Sequence, residues 1–423
     1  MAVKRRQLLK TALYGSVLLS APLSLTTACS AVRKPKVVVV GGGFAGATAA
    51  RYLAMWAADF DITLIEKKQQ FVSCPQSNLL LSGNRTLAQL TRDYAALQAN
   101  SRIRFVGAQV TAVDVEKRQL WLNDDSRIDY DRLILAPGVD FIYDQLPFLA
   151  TAEAQQKVPH AWKAGPQTVL LARQLQAMRQ GGTVIMTIPA APFRCPPGPY
   201  ERACQIALFL KQHNPRGKLL VLDANPEIIS KQALFSTVWQ QDYPGLIDYQ
   251  PMNPVDSVDL ADLRVESFFD QYSADVLNVI PPQKAGAVAA MAGVINVDER
   301  WCGVNLLTYE STAVDHVHVI GDAVAAKVPK SAHIANQQAK VCAAAVIALL
   351  RDELPEQQPV FSNTCYSFVD GQRAGHVATV YRYDAGSKDM LPHPSGGVSA
   401  IASEQEGRYA EGWAQNIWAD SLG

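Results

Sequence analysis

The stretch from Lys36 to Glu66 constrains the chain most. Lys36 to Val40 is a short β-branched run that ends in Gly41-Gly42-Gly43-Phe44-Ala45-Gly46. An alanine-rich stretch of helical character follows through Leu53, and a second apolar run, Ile62 to Ile65, closes on Glu66. Strand, glycine turn, helix, strand and acid, in that order, are the parts of a dinucleotide-binding βαβ unit, and each has a physical reason. Gly41 permits the tight turn, Gly43 lets a pyrophosphate approach the backbone, and Gly46 lets helix and strand pack closely. The helix N-terminus turns unpaired amides toward the phosphates. Glu66 lies 20 residues beyond Gly46, where a carboxylate can accept hydrogen bonds from ribose hydroxyls.

Two later segments point to FAD at this first site. Tyr130 to Leu135, followed by Ala136-Pro137-Gly138, looks like the strand and turn that two-dinucleotide-domain flavoproteins place near the pyrophosphate. Val317 to Ile320, followed by Gly321-Asp322-Ala323, looks like their second flavin motif, in which the aspartate meets the ribityl chain and the next helix points its amides at the ring. Lys330-Ser331, ahead of that helix, is expected to set positive potential near the flavin pyrimidine. Phe44, Ala45, Lys67 and Val110 complete the residues expected against the cofactor.

The FAD domain is therefore expected to be discontinuous, 36–160 and 285–351. Between its halves, 161–284 reads as a second nucleotide fold: a glycine-led strand from Gly181 to Pro189, a helix from Tyr200 to Lys211, and a strand from Lys218 to Asp223 that ends in an acid. Its phosphate loop is missing. The residues from Ile188 to Pro199 are IPAAPFRCPPGP, and bulky side chains and prolines there are unsuited to cradling a pyrophosphate. From 354 to 423 a smaller domain follows, with a strand-like stretch at His376 to Tyr383, a proline and glycine turn region at Leu391 to Gly397, and an aromatic tail. The expected fold is α/β, with two Rossmann-like dinucleotide-binding domains and a small α+β C-terminal domain. A chain of 423 residues has room for these units.

With 39 basic and 39 acidic residues, the overall charge recruits neither nucleic acid nor an anionic membrane surface. Residues 1–31 read as an export leader: Lys4, Arg5 and Arg6 precede a mildly apolar run too short and polar for a permanent membrane span. The string KRRQLLK resembles a twin-arginine signal, which suits a protein that folds around its cofactor before export to the periplasm. An ordinary secretory leader and a lipid anchor at Cys29 remain alternatives. No later stretch is long and apolar enough for an integral membrane segment. The seven cysteines include no CxxC or CxxCH, so no metal site, iron–sulfur cluster or haem is expected in this chain.

Cys74 in FVSCPQSNLL, the loop PFRCPPGPYER, the Gly-Asp pair at 321–322, PKSAHIANQQAKVCAAAV and the segment NTCYS together carry a closer resemblance. The chain resembles the flavoprotein subunit of flavocytochrome c sulfide dehydrogenase along its whole length. That resemblance implies oxidation of sulfide, a small inorganic sulfur substrate, at an FAD beside a redox-active disulfide, with electrons passed singly to a separate c-type cytochrome subunit. It implies that Cys195 and Cys365 form the disulfide. Sequence alone does not choose that pairing, because six cysteines beyond the leader allow 15 arrangements, and Cys302 in RWCGVN is a rival partner. Cys204 and Cys342, in helix-like apolar runs, read as small core residues.

By the same resemblance Cys74 links the flavin covalently, although Pro75-Gln76 departs from the linked form. Glu201 is the active-site acid, and Trp413 lies near the flavin. A glutamate in a helix's first turn is also favoured simply by the dipole. Two other functions stay open at this stage: a sulfide:quinone oxidoreductase, and a flavin and disulfide redox partner of a periplasmic sulfur-oxidising assembly.

Overall fold

The computed structural model describes residues 33–423. The expected leader and Cys29 lie outside the described residues. Lys36–Val40 forms the middle of a five-stranded sheet ordered Val317–Val319, Arg132–Leu135, Lys36–Val40, Asp61–Ile65, Ile103–Val106, with every pairing parallel. A parallel sheet is covered on both faces, which is why the central strand is a continuous apolar run, no residue from Val37 to Val40 being more than 7% exposed. Strand order reverses beside Lys36–Val40. Ligands of open α/β sheets bind at such switch points, beyond the carboxyl ends of the strands.

Val317–Val319 joins strands that precede residue 136, so the chain leaves this layer and comes back to it. The outgoing and returning segments pair antiparallel at Val139–Phe141 and Gln283–Ala285. Between them lies a four-stranded parallel sheet ordered Ile247–Gln250, Lys218–Asp223, Thr183–Ile188, Val276–Val279. The helix after Thr183–Ile188 spans Gly198–His213. It starts earlier than its apolar pattern indicates, because Pro199 has the φ a first turn needs and no N–H to leave unpaired.

The C-terminal unit is a three-stranded antiparallel sheet, Val360–Phe368, Ala374–Asp384 and Asp389–Val398, with a helix, Glu404–Leu422. Leu391 to Gly397 is thus not a turn region but most of an edge strand. Pro392 and Pro394 are tolerated because an edge strand has one side free of ladder bonds. Gly396, at φ +147°, runs so close to its neighbour that a Cβ there would lie 2.4 Å from the Ala378 carbonyl oxygen. The aromatic tail is a 19-residue helix, N-capped by Ser403, whose Oγ accepts from Glu406 N–H at 3.2 Å. It docks on the first helix, Phe44–Trp56, through Thr48 Oγ1 and Ser421 Oγ at 3.0 Å. No described helix is long and apolar enough to cross a membrane.

Candidate functional site

A cavity of about 550 Å³ opens at the carboxyl ends of the first sheet's strands, between the Cys195 loop and the C-terminal sheet. Gly41, Gly43, Phe44, Ala45, Glu66, Lys67 and Val110 line one end. Ala136, Pro137, Gly138, Gly321, Asp322, Lys330 and Ser331 line its middle, and Cys74, Cys195, Glu201, Cys365 and Trp413 surround the other end. Gly46 alone of the expected residues does not face the cavity. A Cβ on it would lie 1.8 Å from the Gly41 carbonyl oxygen, so this glycine packs helix against turn.

The glycine turn has the shape of a phosphate cradle. Gly41 has φ +105°, and a Cβ there would meet the Ala136 carbonyl oxygen at 2.4 Å, whereas a Cβ on Gly43 would meet nothing within 4 Å. Gly42 N–H donates to Glu66 Oε2 at 2.6 Å and Lys68 N–H to Oε1 at 2.8 Å, which fixes the carboxylate at the cavity edge. Asp322 Oδ1 is buried without a hydrogen-bond partner, and burial pushes this carboxyl above the usual carboxylate range. A buried acceptor so placed is suited to a ligand hydroxyl. Ser331 caps the helix Ala332–Leu350, its Oγ accepting from Ile334 N–H at 3.1 Å, and Ala332, His333 and Ala335 present the helix start to the cavity. The residues present therefore fit a flavin dinucleotide.

Lys330 is placed differently from a free cation. Its ammonium donates to the Asp322 and Val324 carbonyls, both at 2.8 Å, and lies 3.7 Å from the centre of the Trp301 ring. It braces the Gly321–Ala323 turn, and burial lowers its pKa to about 8.

Cys195 is half-buried, at φ +60°, a left-handed conformation that costs a non-glycine residue roughly 1–2 kcal/mol. The loop holds it there: Cys195 N–H donates to the Lys330 carbonyl at 2.8 Å, and Arg194 N–H to Gln283 Oε1 at 2.9 Å. Cys365 comes from the middle of Val360–Phe368 and faces the same end of the cavity. All six described cysteines are thiols, and burial followed by the neighbouring Cys365 pushes the Cys195 thiol far up. Cys302 is fully buried behind the Gly321–Ala323 turn and does not line the cavity. Cys204 and Cys342 are buried core residues.

Glu201 is buried, its Oε1 accepting from Phe368 N–H and its Oε2 from Asn78 Nδ2, both at 2.8 Å. Burial outweighs these bonds and raises its carboxyl pKa. Asn78 is a residue the sequence reading missed. Its Oδ1 accepts from Arg202 Nε at 3.1 Å, and Arg202, only 2% exposed, also holds the His160 and Ala161 carbonyls at 2.9 and 2.6 Å. Burial lowers the Arg202 pKa to about 9. Also missed was Lys231, whose ammonium reaches the Cys365 carbonyl and Ser367 Oγ, each at 2.8 Å. One sequence signal could have flagged it: a lysine just ahead of the helix Gln232–Asp242, where the dipole disfavours a cation.

Cys74 is half-buried between the strand Phe71–Val72 and the turn Ser77–Leu80. The C-terminal helix steadies this loop, Trp418 Nε1 donating to Ser73 Oγ at 2.9 Å. Trp413 sits 6.1 Å from His333 and 6.3 Å from Tyr366, ring to ring. In the second sheet, Asp223 is closed to any ribose. Its Oδ2 accepts from Tyr200 and Tyr249 hydroxyls at 2.9 and 3.0 Å, and its Oδ1 from Asn225 N–H and Nδ2 at 2.9 and 2.7 Å.

Comparison with known proteins gives three family matches. Residues 168–281 match the central region of the sulfide dehydrogenase (flavocytochrome c) flavoprotein chain, residues 357–422 the flavocytochrome c sulphide dehydrogenase flavin-binding region, and residues 35–160 the pyridine nucleotide-disulphide oxidoreductases. A sulfide dehydrogenase (flavocytochrome c) flavoprotein chain from Chlorobaculum thiosulfatiphilum is 54% identical over 43 residues, 10% of this chain and 90% of that sequence. The mitochondrial sulfide:quinone oxidoreductase of Dictyostelium discoideum is 21% identical over 72% of this chain and 69% of its own. A match to the demethylphylloquinone reductase of Synechocystis spans only 31% of that protein. Among solved structures, the sulfide:quinone oxidoreductase of Aquifex aeolicus superposes with a TM-score of 0.72 at 20% identity, covering 92% of this chain and 91% of the other.

Proposed function

Because the chain belongs to the family of flavocytochrome c sulfide dehydrogenase flavoprotein chains, we propose that it oxidises sulfide at a Cys195–Cys365 redox pair beside FAD. In this reading the electrons pass to a c-type cytochrome subunit after twin-arginine export to the periplasm. The observation that supports the reading is that Cys195 and Cys365, far apart in the chain, both line a cavity whose residues fit a flavin dinucleotide, while Cys302 is buried behind the Asp322 turn.

In the oxidised form hydrosulfide adds to one sulfur, the S–S bond breaks, and the electron pair of that bond leaves on the other sulfur as a thiolate, with a persulfide left behind. FAD supplies a two-electron acceptor that can hand electrons on one at a time. Glu201, whose carboxyl pKa burial raises, exchanges a proton with the bound sulfur. Asn78 and Arg202 hold Glu201 in place, and Cys74 carries the flavin covalently. The bridge between Cys195 and Cys365 closes a loop of 170 residues, which loop entropy values at about 5 kcal/mol.

The test is a set of three variants. Cys195→Ser and Cys365→Ser should each keep flavin absorbance, resist reduction by sulfide, and still be reduced by dithionite. Cys302→Ser should be reduced by sulfide normally. A dead Cys302→Ser beside an active Cys365→Ser would move the partner to Cys302. The likeness to sulfide:quinone oxidoreductases supports a second reading with quinone as acceptor. Turnover with decylubiquinone but not with a soluble c-type cytochrome would favour it.

A further inference from the structure

Lys231 is buried, 6% exposed, at φ +56°, and its three ammonium protons go to neutral acceptors: the Cys365 carbonyl and Ser367 Oγ at 2.8 Å, and the Gly375 carbonyl at 3.4 Å. Among the described residues no carboxylate lies within salt-bridge distance of it. A buried ammonium is costly unless a negative charge accompanies it, and a left-handed lysine adds strain, so the position is expensive unless it is used. Its electrostatic neighbours are Cys365 first, then Glu201, Cys195 and Glu406. Glu406 is engaged elsewhere, by His376 Nδ1 at 2.9 Å and Ser399 Oγ at 2.7 Å, and burial favours the neutral form of Glu201.

We propose that Lys231 is the counter-charge for an anionic sulfur on Cys365, and that it decides which sulfur of the redox pair leaves when hydrosulfide opens the bridge. This rests on the Cys195–Cys365 reading above. The better leaving group in thiol–disulfide exchange is the sulfur with the lower thiol pKa. Lys231 is the first group to oppose burial at Cys365, with Asn363 and Ser331 adding hydrogen bonds in the same sense and Glu201 opposing. At Cys195 the neighbouring Cys365 and Glu201 come ahead of the two cations, Arg194 and Lys231. Hydrosulfide therefore adds to Cys195, the S–S bond breaks, and its electron pair leaves on Cys365 beside the ammonium. Lys231 meets the Cys365 backbone rather than its sulfur, so it is a positioning residue acting through charge.

The test is the pH dependence of alkylation in the reduced, flavin-loaded protein, with iodoacetamide labelling of each cysteine read by mass spectrometry. In the wild type Cys365 should titrate at lower pH than Cys195, and the reverse order would overturn the inference without any variant. In Lys231→Met the Cys365 midpoint should rise by at least about one pH unit, a tenfold loss of thiolate at fixed pH below it, while Lys231→Arg should restore most of the shift. An unmoved midpoint in Lys231→Met, with the Cys195–Cys365 crosslink present in a non-reducing peptide map of the oxidised protein, overturns this inference alone. Absence of that crosslink in the oxidised wild type overturns the redox-pair reading as well.

Discussion

Replacing Gly198 by alanine probes the sulfur end of the cavity with one methyl group. An ideal Cβ on Gly198 would lie 2.8 Å from the Trp162 ring edge and 2.9 Å from Cys195 Sγ. The buried indole has little room to give way: the Trp162 backbone is held by its N–H, which donates to His160 Nδ1 at 2.8 Å, and by its carbonyl, which takes the Arg194 guanidinium, while the Arg202 guanidinium lies 4.9 Å from its ring centre. The Cys195 backbone is tied to Lys330, so the adjustment falls on the sulfur, which must move roughly 0.6–1 Å to regain contact distance. Overpacking costs about 1–3 kcal/mol, and the gain of alanine over glycine in a helix returns at most ~1 kcal/mol. The net loss of about 1–2 kcal/mol should lower the melting temperature by roughly 1–3 °C in a chain of this size. A reacting sulfur displaced that far should slow flavin reduction by sulfide on the order of 100-fold. Stopped-flow absorbance, with dithionite as control, measures this. A variant that melts lower but is reduced by sulfide at the wild-type rate would refute Cys195 as the reacting sulfur.

Three further outcomes follow from the same geometry. Acid-precipitated wild-type protein should stay yellow and Cys74→Ser should lose its flavin on precipitation, so a colourless wild-type pellet would dismiss the covalent link. Glu201→Gln should slow sulfide reduction by roughly 10²–10⁴-fold. Because the folded carboxyl holds its proton above the unfolded value of about 4.3, wild-type stability should fall relative to the glutamine variant as pH rises from that value through the folded pKa, and melts showing the opposite sign would contradict a buried neutral acid. NADH should leave the flavin oxidised under anaerobic conditions, since Tyr200, Tyr249 and Asn225 occupy Asp223. Rapid bleaching would show that the 188–199 loop binds a nucleotide.

The glycine turn was readable because Gly41, Gly43 and Gly46 recur within six residues between a strand and a helix, although the group that Gly41 must clear, the Ala136 carbonyl, lies far along the chain. Glu66 and Asp322 follow strands whose apolar runs mark them, so their places at the strand ends were readable too. What escaped the sequence depends on distant partners. Asn78, Arg202 and Lys231 are polar residues whose role appears only when three segments far apart in the chain close around Glu201 and Cys365. The edge strand Asp389–Val398 was hidden for a related reason, because prolines and glycines that normally signal a turn are tolerated where one side of the strand carries no partner. Cys195 and Cys365 were picked out by family resemblance, and neither spacing nor composition would have paired them.

An anaerobic titration of the purified protein with sulfide, followed by flavin absorbance and then by addition of an oxidised c-type cytochrome, tests the central claim most directly. Sulfide should bleach the flavin at near-stoichiometric amounts, and the cytochrome should restore the absorbance while becoming reduced. A flavin that dithionite bleaches but sulfide leaves untouched would contradict the account.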